Sequence, residues 1–146
     1  MSQLINQLKI KSLILILLGL VSFSVMAKPV IGVFVSFSMP TNLLSETLKE
    51  SGELNLPVYI NGLFHNSMPE TARKIMRLSA KVPNLNLQID PTLFERYAIT
   101  KVPAVVVEKN RHFDVIYGHL SIHECLQRII DAGETRLSKL DLKEAS

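Results

Sequence analysis

Cysteine is almost absent from this sequence, which contains Cys125 and no other. A single cysteine can neither close an internal disulfide nor form a Cys-x-x-Cys motif, so a domain stapled by disulfides is excluded. The stability of the fold must therefore come from an apolar core, which a chain of 146 residues can bury. Cys125 shares one predicted helix face with aliphatic neighbours. We expect it to be an inert core residue rather than a partner in a mixed disulfide.

The excess of basic over acidic residues is also small. The net charge of the whole sequence is +3, and it falls to +1 when Lys9 and Lys11 are left out; no acid accompanies them in the first 27 residues. No basic run with interleaved aromatic residues is present, so the sequence does not support nucleic-acid binding. Repeats, linkers and low-complexity segments are missing too, which indicates one domain.

The longest apolar run lies near the start of the sequence. Residues 12–25 are interrupted only by serine and glycine, Lys9 and Lys11 precede them, and the small residue Ala27 follows. This pattern predicts a secretory signal peptide over residues 1–27, cut after Ala27, which leaves no membrane segment. The alternative is a retained membrane anchor. It is disfavoured because a membrane span needs about 20 apolar residues and this run is shorter.

Apolar runs alternate with amphipathic segments through the rest of the sequence, which predicts alternating strands and helices. The predicted order is strand 30–37, a helix that follows residues 38–41 and runs to about residue 51, strand 56–60, helix 68–81, strand 85–89, a short helix from residue 91, a hairpin of strands 104–108 and 112–117, and helix 122–132. This order predicts an α/β domain over residues 28–133 with helices layered on a mixed sheet. The charged tail (residues 134–146) is predicted to be either a frayed helix or an extension that binds a partner.

Residues that can cap helices precede the predicted helices. A serine or aspartate side chain at such a position can accept a hydrogen bond from a free backbone N–H group of the first helical turn. Glycine just past the last turn commonly ends a helix. The predicted N-caps are Ser38, Ser67, Asp90 and Ser121, and the predicted helix ends are Gly52 and Gly133.

The helix predicted over residues 68–81 has an apolar and a basic side. The predicted buried face consists of Ala72, Ile75, Met76 and Ser79. The basic cluster consists of Arg73, Lys74, Arg77 and Lys81. Such a cluster could bind an acidic partner or a phosphate group, but most are the solvated face of an amphipathic helix, which is the interpretation we favour.

The region between Asp90 and the strand at residues 104–108 has an unusual order of proline residues. Asp90 can cap a short helix that begins at Pro91, and Val102-Pro103 leads directly into an aliphatic strand. A proline that opens a buried strand must keep its nitrogen off the hydrogen-bond ladder, and X-Pro is the peptide bond that tolerates the cis form. The segment resembles the cis-proline loop of thioredoxin-fold proteins. The resemblance implies a three-layer thioredoxin-like domain with an extra strand–helix unit over residues 56–81.

Redox-active proteins of that fold carry Cys-x-x-Cys where the first strand meets a helix N-terminus, which lowers the pKa of the first thiol. At the equivalent positions this sequence has Ser38 and Thr41, with Pro40 between them. A hydroxyl group cannot carry out thiol–disulfide exchange, and Ser38 has no visible base, so no catalytic residue is predicted. His119 and His123 are four residues apart, but two ligands are too few for a closed structural metal site. Neither a metal nor a cofactor is expected.

Three blocks of the sequence are distinctive in combination. They are residues 34–40 (Phe-Val-Ser-Phe-Ser-Met-Pro), residues 89–99 (beginning Ile-Asp-Pro-Thr-Leu-Phe) and residues 102–107 (Val-Pro-Ala-Val-Val-Val). Together they resemble the F-type TrbC family of periplasmic pilin-assembly proteins from conjugative type IV secretion systems, over about residues 30–133. One departure is Asn61-Gly62-Leu63, where the family pattern often reads Arg-Gly-Leu. Any partner contact of that arginine must therefore be made differently here.

The resemblance implies a non-catalytic periplasmic assembly factor that binds a separate TraW-type partner, with other type IV secretion components left open as further partners. Two other functions are left open: a relative of the thiol-disulfide oxidoreductases and isomerases, and a generic exported chaperone or adaptor. The absence of Cys-x-x-Cys argues against the first of these.

The fold resemblance also places the loop after the first strand opposite the cis-proline loop. Two such loops can form a groove in which an extended peptide pairs with the backbone. The predicted protein-binding residues are Phe37, Ser38, Met39, Pro40, Thr41, Val102 and Pro103. The alternative is that both loops are purely structural.

Overall fold

The computed structural model of the protein describes residues 28–145, which form a five-stranded sheet and five α-helices. The strands are β1 (Val30–Val35), β2 (Pro57–Ile60), β3 (Asn86–Ile89), β4 (Ala104–Lys109) and β5 (His112–Tyr117). The helices are α1 (Thr41–Glu53), α2 (Met68–Ser79), α3 (Pro91–Arg96), α4 (Ile122–Ala132) and α5 (Lys139–Ala145), and a 3₁₀ turn spans Phe64–Asn66. The predicted order of strands and helices is therefore confirmed.

The sheet is mixed and has the strand order β3-β2-β1-β4-β5. β1, β2 and β3 are parallel, because α1 and α2 carry the chain back between them, whereas β4 is antiparallel to both β1 and β5. The tight turn between β4 and β5 holds Asn110 and Arg111 at φ values of 52° and 68°, which suits a two-residue hairpin turn. Phe34 pairs with Ala104, so the chain leaving β1 meets the chain entering β4 at one end of the sheet.

The two faces of the sheet are covered unequally. On one face, Val33, Val58 and Val107 are fully buried in a core built with α1, α2 and α4. On the other face, the short helix α3 packs through Phe94, whose ring centroid lies 5.0 Å from that of Phe34. Because α3 has only six residues, it covers part of this second face and leaves the start of β1 open.

Local sequence rules account for most of the helix ends. The side chains of Ser67, Asp90 and Ser121 each accept a hydrogen bond from the first turn of α2, α3 and α4, as predicted. Gly133 follows the last residue of α4, also as predicted. The prediction that Ser38 caps α1 is wrong, because the N-cap position is occupied by Pro40, whose side chain has no acceptor.

Gly52 does not end α1, contrary to the prediction. The helix continues to Glu53, and Gly52 is buried where the chain that follows α2 crosses it. A Cβ atom on Gly52 would overlap the carbonyl oxygen of Pro83 and would lie 3.0 Å from Cγ1 of Val82. The glycine is therefore needed for a close approach between two segments, which its position in the sequence does not reveal.

The predicted buried face of α2 is wrong for most of its members. The helix is rotated so that Thr71 is buried and Ile75 and Leu78 pack partly against the core. The exposed members of the predicted face are Ala72, Met76 and Ser79. The Thr71 hydroxyl donates to the carbonyl of Ser67 and accepts from the backbone N–H of Phe64, so its burial leaves no polar atom without a partner.

The charged tail packs on the domain rather than fraying from it. Leu137 is 3 % exposed and belongs to the main core, and α5 follows it. Asp114 of β5 accepts hydrogen bonds from the backbone N–H groups of Glu134 and Thr135, each 2.9 Å long. The tail is thus held by specific polar contacts as well as by apolar packing.

The predicted signal peptide lies outside the described residues. Across residues 28–145, none of the helices is long and apolar enough to cross a membrane.

Candidate functional site

A tight turn connects β1 to α1. The backbone N–H of Met39 donates to the carbonyl of Ser36 at 3.2 Å, and the backbone N–H of Ser38 donates to the Ser36 hydroxyl at 3.2 Å. The hydroxyl oxygens of Ser36 and Ser38 are 2.8 Å apart and hydrogen-bonded. Ser36 therefore organises the turn, and Ser38 is left exposed ahead of the first residue of α1, Thr41.

The loop before β4 lies at the same end of the sheet. The Val102-Pro103 peptide bond is cis, as the fold resemblance implies. The carbonyl of Pro103 accepts a hydrogen bond of 3.1 Å from the N–H of Gly118, which ties this loop to the end of β5. Because Phe34 pairs with Ala104, the turn after β1 and this cis-proline loop are neighbours, as expected.

The predicted protein-binding residues are only partly accessible. Those that are exposed or half-buried are Phe37, Ser38, Pro40, Thr41, Val102 and Pro103. Met39 is 8 % exposed and sits in the main core, with its sulfur 3.4 Å from the backbone nitrogen of Ser36. Met39 therefore stabilises the turn from within, and little of its side chain is exposed for the partner contact predicted for it.

An aromatic cluster beside the turn is not evident from the sequence. Phe37 meets Phe64 edge to face with ring centroids 5.7 Å apart, and His65 stacks on Phe64 at 3.8 Å. The ammonium of Lys74 lies 3.8 Å from the Phe64 ring centroid and 5.0 Å from that of Phe37, which is cation–π geometry. The sequence predicts that Lys74 belongs to a freely solvated basic face. Its ammonium instead lies over two aromatic rings and contacts them.

A surface pocket of about 320 Å³ opens between the turn and this cluster and is here called the aromatic pocket. Its lining residues are Ser36, Phe37, Ser38, Asn61, Leu63, Phe64 and His65. His65 and Asn66 have φ values of 49° and 54°, so the backbone turns sharply in the left-handed region here. No helix or strand periodicity predicts such a turn, which explains why Phe64 and His65 are missed from sequence.

The side chains at this end of the molecule offer several kinds of contact to a binding partner. Ser38 and Thr41 offer hydroxyl groups, and the cluster offers aromatic faces and a cation. Cys125 is buried on α4, and burial together with Glu50 raises the pKa of its thiol to about 11, so the reactive thiolate is suppressed at neutral pH. Among residues 28–145, no three His, Cys, Asp or Glu side chains are grouped to hold a metal ion.

The mixed sheet, the cis Val102-Pro103 bond before β4 and the strand-to-helix turn at Ser38 define a thioredoxin-like domain, whose first helix begins at Thr41. The chain belongs to the family of type-F conjugative transfer system pilin assembly proteins, whose family profile matches residues 33–129.

The chain is similar to the Periplasmic protein TrbC of Escherichia coli (strain K12), with 35% identity over 109 residues that cover 75% of this chain and 51% of that protein. It thus spans about half the length of the curated relative it matches. Among solved structures it is similar to StoA from Bacillus subtilis, with 11% identity, a TM-score of 0.49, and coverage of 70% of this chain and 82% of StoA.

Proposed function

We propose that this protein is a non-catalytic assembly factor for the F-type conjugative pilus, exported to the periplasm with loss of residues 1–27, and that it acts by binding a TraW-type partner. Family membership and the periplasmic relative support the setting. The observation that carries the non-catalytic role is that the junction between β1 and α1 holds Ser38 and Thr41, while the one cysteine of the sequence is buried on α4.

The hydroxyl groups at the turn are suited to structure rather than to nucleophilic attack. The Ser38 hydroxyl is hydrogen-bonded to Ser36 and to no histidine or carboxylate in the described structure. A serine nucleophile needs an adjacent base to take its proton. The one thiol, Cys125, is buried and protonated at neutral pH, so it cannot take over the exchange reaction.

The partner site in this proposal is the aromatic pocket together with the cis-proline loop. Phe37 and Phe64 give a rigid apolar surface at little cost in side-chain entropy, because their rings already pack against each other and against Lys74. Backbone next to Pro103 can pair with an extended segment of the partner. Asn61 and Leu63 line the same pocket, so the stretch that departs from the family pattern contributes directly to the proposed surface.

The partner site is tested by co-purification with a tagged TraW-type protein from the same conjugative system. We expect Ser38→Arg to weaken binding about tenfold or more, because the long charged side chain obstructs the pocket from an exposed position without removing core contacts. Ser79→Arg, an equally exposed serine at the end of α2, is the matched control. Equal binding by the two folded variants contradicts the site, and loss of the gene without loss of pilus extension contradicts the function.

The non-catalytic role is tested by insulin reduction with the purified protein in the presence of dithiothreitol. We expect the rate to equal that of Cys125→Ala, and Cys125 to react with a thiol reagent only after the protein is unfolded in urea. A rate above that of Cys125→Ala would show thiol exchange and contradict the proposal.

A further inference from the structure

A larger cavity lies at the opposite end of β1 from the aromatic pocket. It is an open groove of about 740 Å³ on the sheet face that α3 only partly covers, and it is here called the sheet groove. Its volume is in the range of about 300–1,000 Å³ that ligand pockets usually have. Val30, Gly32 and Phe34 of β1 form its floor with Val106 of β4, and Tyr59 lies beside them.

Gly32 of the central strand β1 lets two aromatic rings lie close to the backbone beside the groove. Val30, Gly32 and Phe34 alternate along β1 and so face the same side of the sheet. A Cβ atom on Gly32 would lie 2.9 Å from Cε2 of Tyr59 and 3.3 Å from Cε2 of Phe34, so the two rings close over the space that a side chain would take. Val30 remains 56 % exposed although it is aliphatic and is the first residue of the central strand. An α/β sheet normally has such a face covered.

The rim of the groove is basic. The lining residues include the bases Lys28, Arg96, Lys109 and Arg111, and the acid Glu108. Arg96 donates to both carboxylate oxygens of Glu108 at 2.6 and 2.8 Å, and Lys109 is paired with Asp141. Arg111 is exposed at the hairpin turn. An occupant of the apolar floor therefore meets positive charge at the rim.

We propose that the sheet groove binds a segment of a partner protein that carries an aromatic or long aliphatic side chain next to a carboxylate. The apolar side chain packs on Val30 beside the Tyr59 ring, and the carboxylate faces Arg111. A basic segment is disfavoured by repulsion at the rim. This site goes beyond the proposed function, because it shares no lining residue with the aromatic pocket and takes a different ligand.

The test is selection from a random seven-residue peptide library displayed on phage, with the protein purified from the periplasm after its own export. We expect the enriched peptides to combine an aromatic or aliphatic residue with Asp or Glu, and to bind less tightly as salt is raised. Gly32→Leu, whose side chain would push the Tyr59 and Phe34 rings out of their positions at the groove, should abolish binding of the enriched peptides. If Gly32→Leu does not fold, Val30→Glu serves instead, because Val30 is already exposed.

Matched controls separate the groove from general surface effects. Arg111→Glu should weaken binding of the selected peptide about fivefold, whereas Arg73→Glu on the exposed side of α2 should leave it unchanged. Met76→Glu, at a residue that is 71 % exposed, is the control for Val30→Glu. Peptides without acidic residues, equal binding by Val30→Glu and Met76→Glu, or self-association that Val30→Glu abolishes would each overturn the proposal. None of these readouts depends on pilus assembly, so failure here is distinguishable from failure of the proposed function.

Discussion

Lys109 and Asp141 form an ion pair that is shielded from solvent. The Lys109 ammonium lies 2.7 Å from Oδ2 of Asp141, and each side chain is 8 % exposed. Ser138 donates to the same oxygen through its backbone N–H at 2.8 Å and its hydroxyl at 2.6 Å. The pair joins the end of β4 to α5, so it fastens the tail to the sheet.

Removing the carboxylate of this pair should destabilise the domain. We expect Asp141→Ala to lower the free energy of unfolding by about 3 kcal/mol, because it leaves the Lys109 charge without its buried partner. Urea denaturation followed by circular dichroism measures the change. Glu134→Ala, at an exposed acid of the same tail, should change it by less than about 0.5 kcal/mol.

A double variant distinguishes loss of the pair from loss of packing. Lys109→Met combined with Asp141→Leu removes both charges and keeps the volume, so it should recover most of the stability that Asp141→Ala loses. If the double variant is as unstable as Asp141→Ala, the charge pair is not the cause.

The stability of the fold should fall in acid between about pH 4 and pH 2. The hydrogen bonds from Lys109 and then Ser138 lower the pKa of Asp141 to about 2. An unfolded aspartate titrates near about 3.9, so the stabilisation by Asp141 is complete above that pH and is lost as the pH falls toward the folded value. Thermal unfolding across this range should show the difference between the wild-type protein and Asp141→Ala shrinking; a constant difference contradicts the assignment.

Asp114 contributes to the same acid sensitivity. Burial alone would raise the pKa of its carboxyl group, but hydrogen bonds from the Thr135 side chain and from the backbone N–H groups of Thr135 and Glu134 lower it below its usual value. Protonation of Asp114 in acid therefore weakens the second attachment of the tail.

Gly52→Ala should destabilise the protein, although alanine is the better helix former. In an exposed helix the substitution gains up to about 1 kcal/mol. Here the new Cβ overlaps the carbonyl oxygen of Pro83, and a backbone atom can move away only with its segment. We expect a net loss of about 2 kcal/mol in the free energy of unfolding. Ser45→Ala, at an exposed position of the same helix, is the control and should be neutral or slightly stabilising.

The fold could be predicted from sequence where the deciding interactions are local. Ser67, Asp90 and Ser121 cap their helices through residues one turn away, which a short pattern contains. The environment of Gly52 is decided by a segment that crosses it in space, and that of Thr71 by the irregular turn before its helix. In the sequence, a glycine inside a helix looks like the signal that ends the helix. A threonine on the buried side of a helix looks like a surface residue.

The candidate site was predictable to a similar extent. The cis Val102-Pro103 bond and the placement of Ser38 follow from the resemblance of whole blocks of sequence, and the structure bears out both positions. The burial of Met39 and the position of Lys74 over the Phe64 ring depend on how a tight turn and a left-handed turn meet. Neither turn has a periodic pattern in the sequence. The burial of Met39 and the contact between Lys74 and Phe64 could therefore not be predicted.

The burial of Leu137 also bears on when the chain can acquire its native state. A ribosome releases the polypeptide from its N-terminus, and domains generally fold as units during this process. Leu137 fills part of the core that the earlier strands and helices build. The hydrophobic interior cannot be completed, and Lys109 cannot meet its counter-ion, before Leu137 and Asp141 have been synthesised, so a nascent chain that stops short of these residues should be incompletely packed.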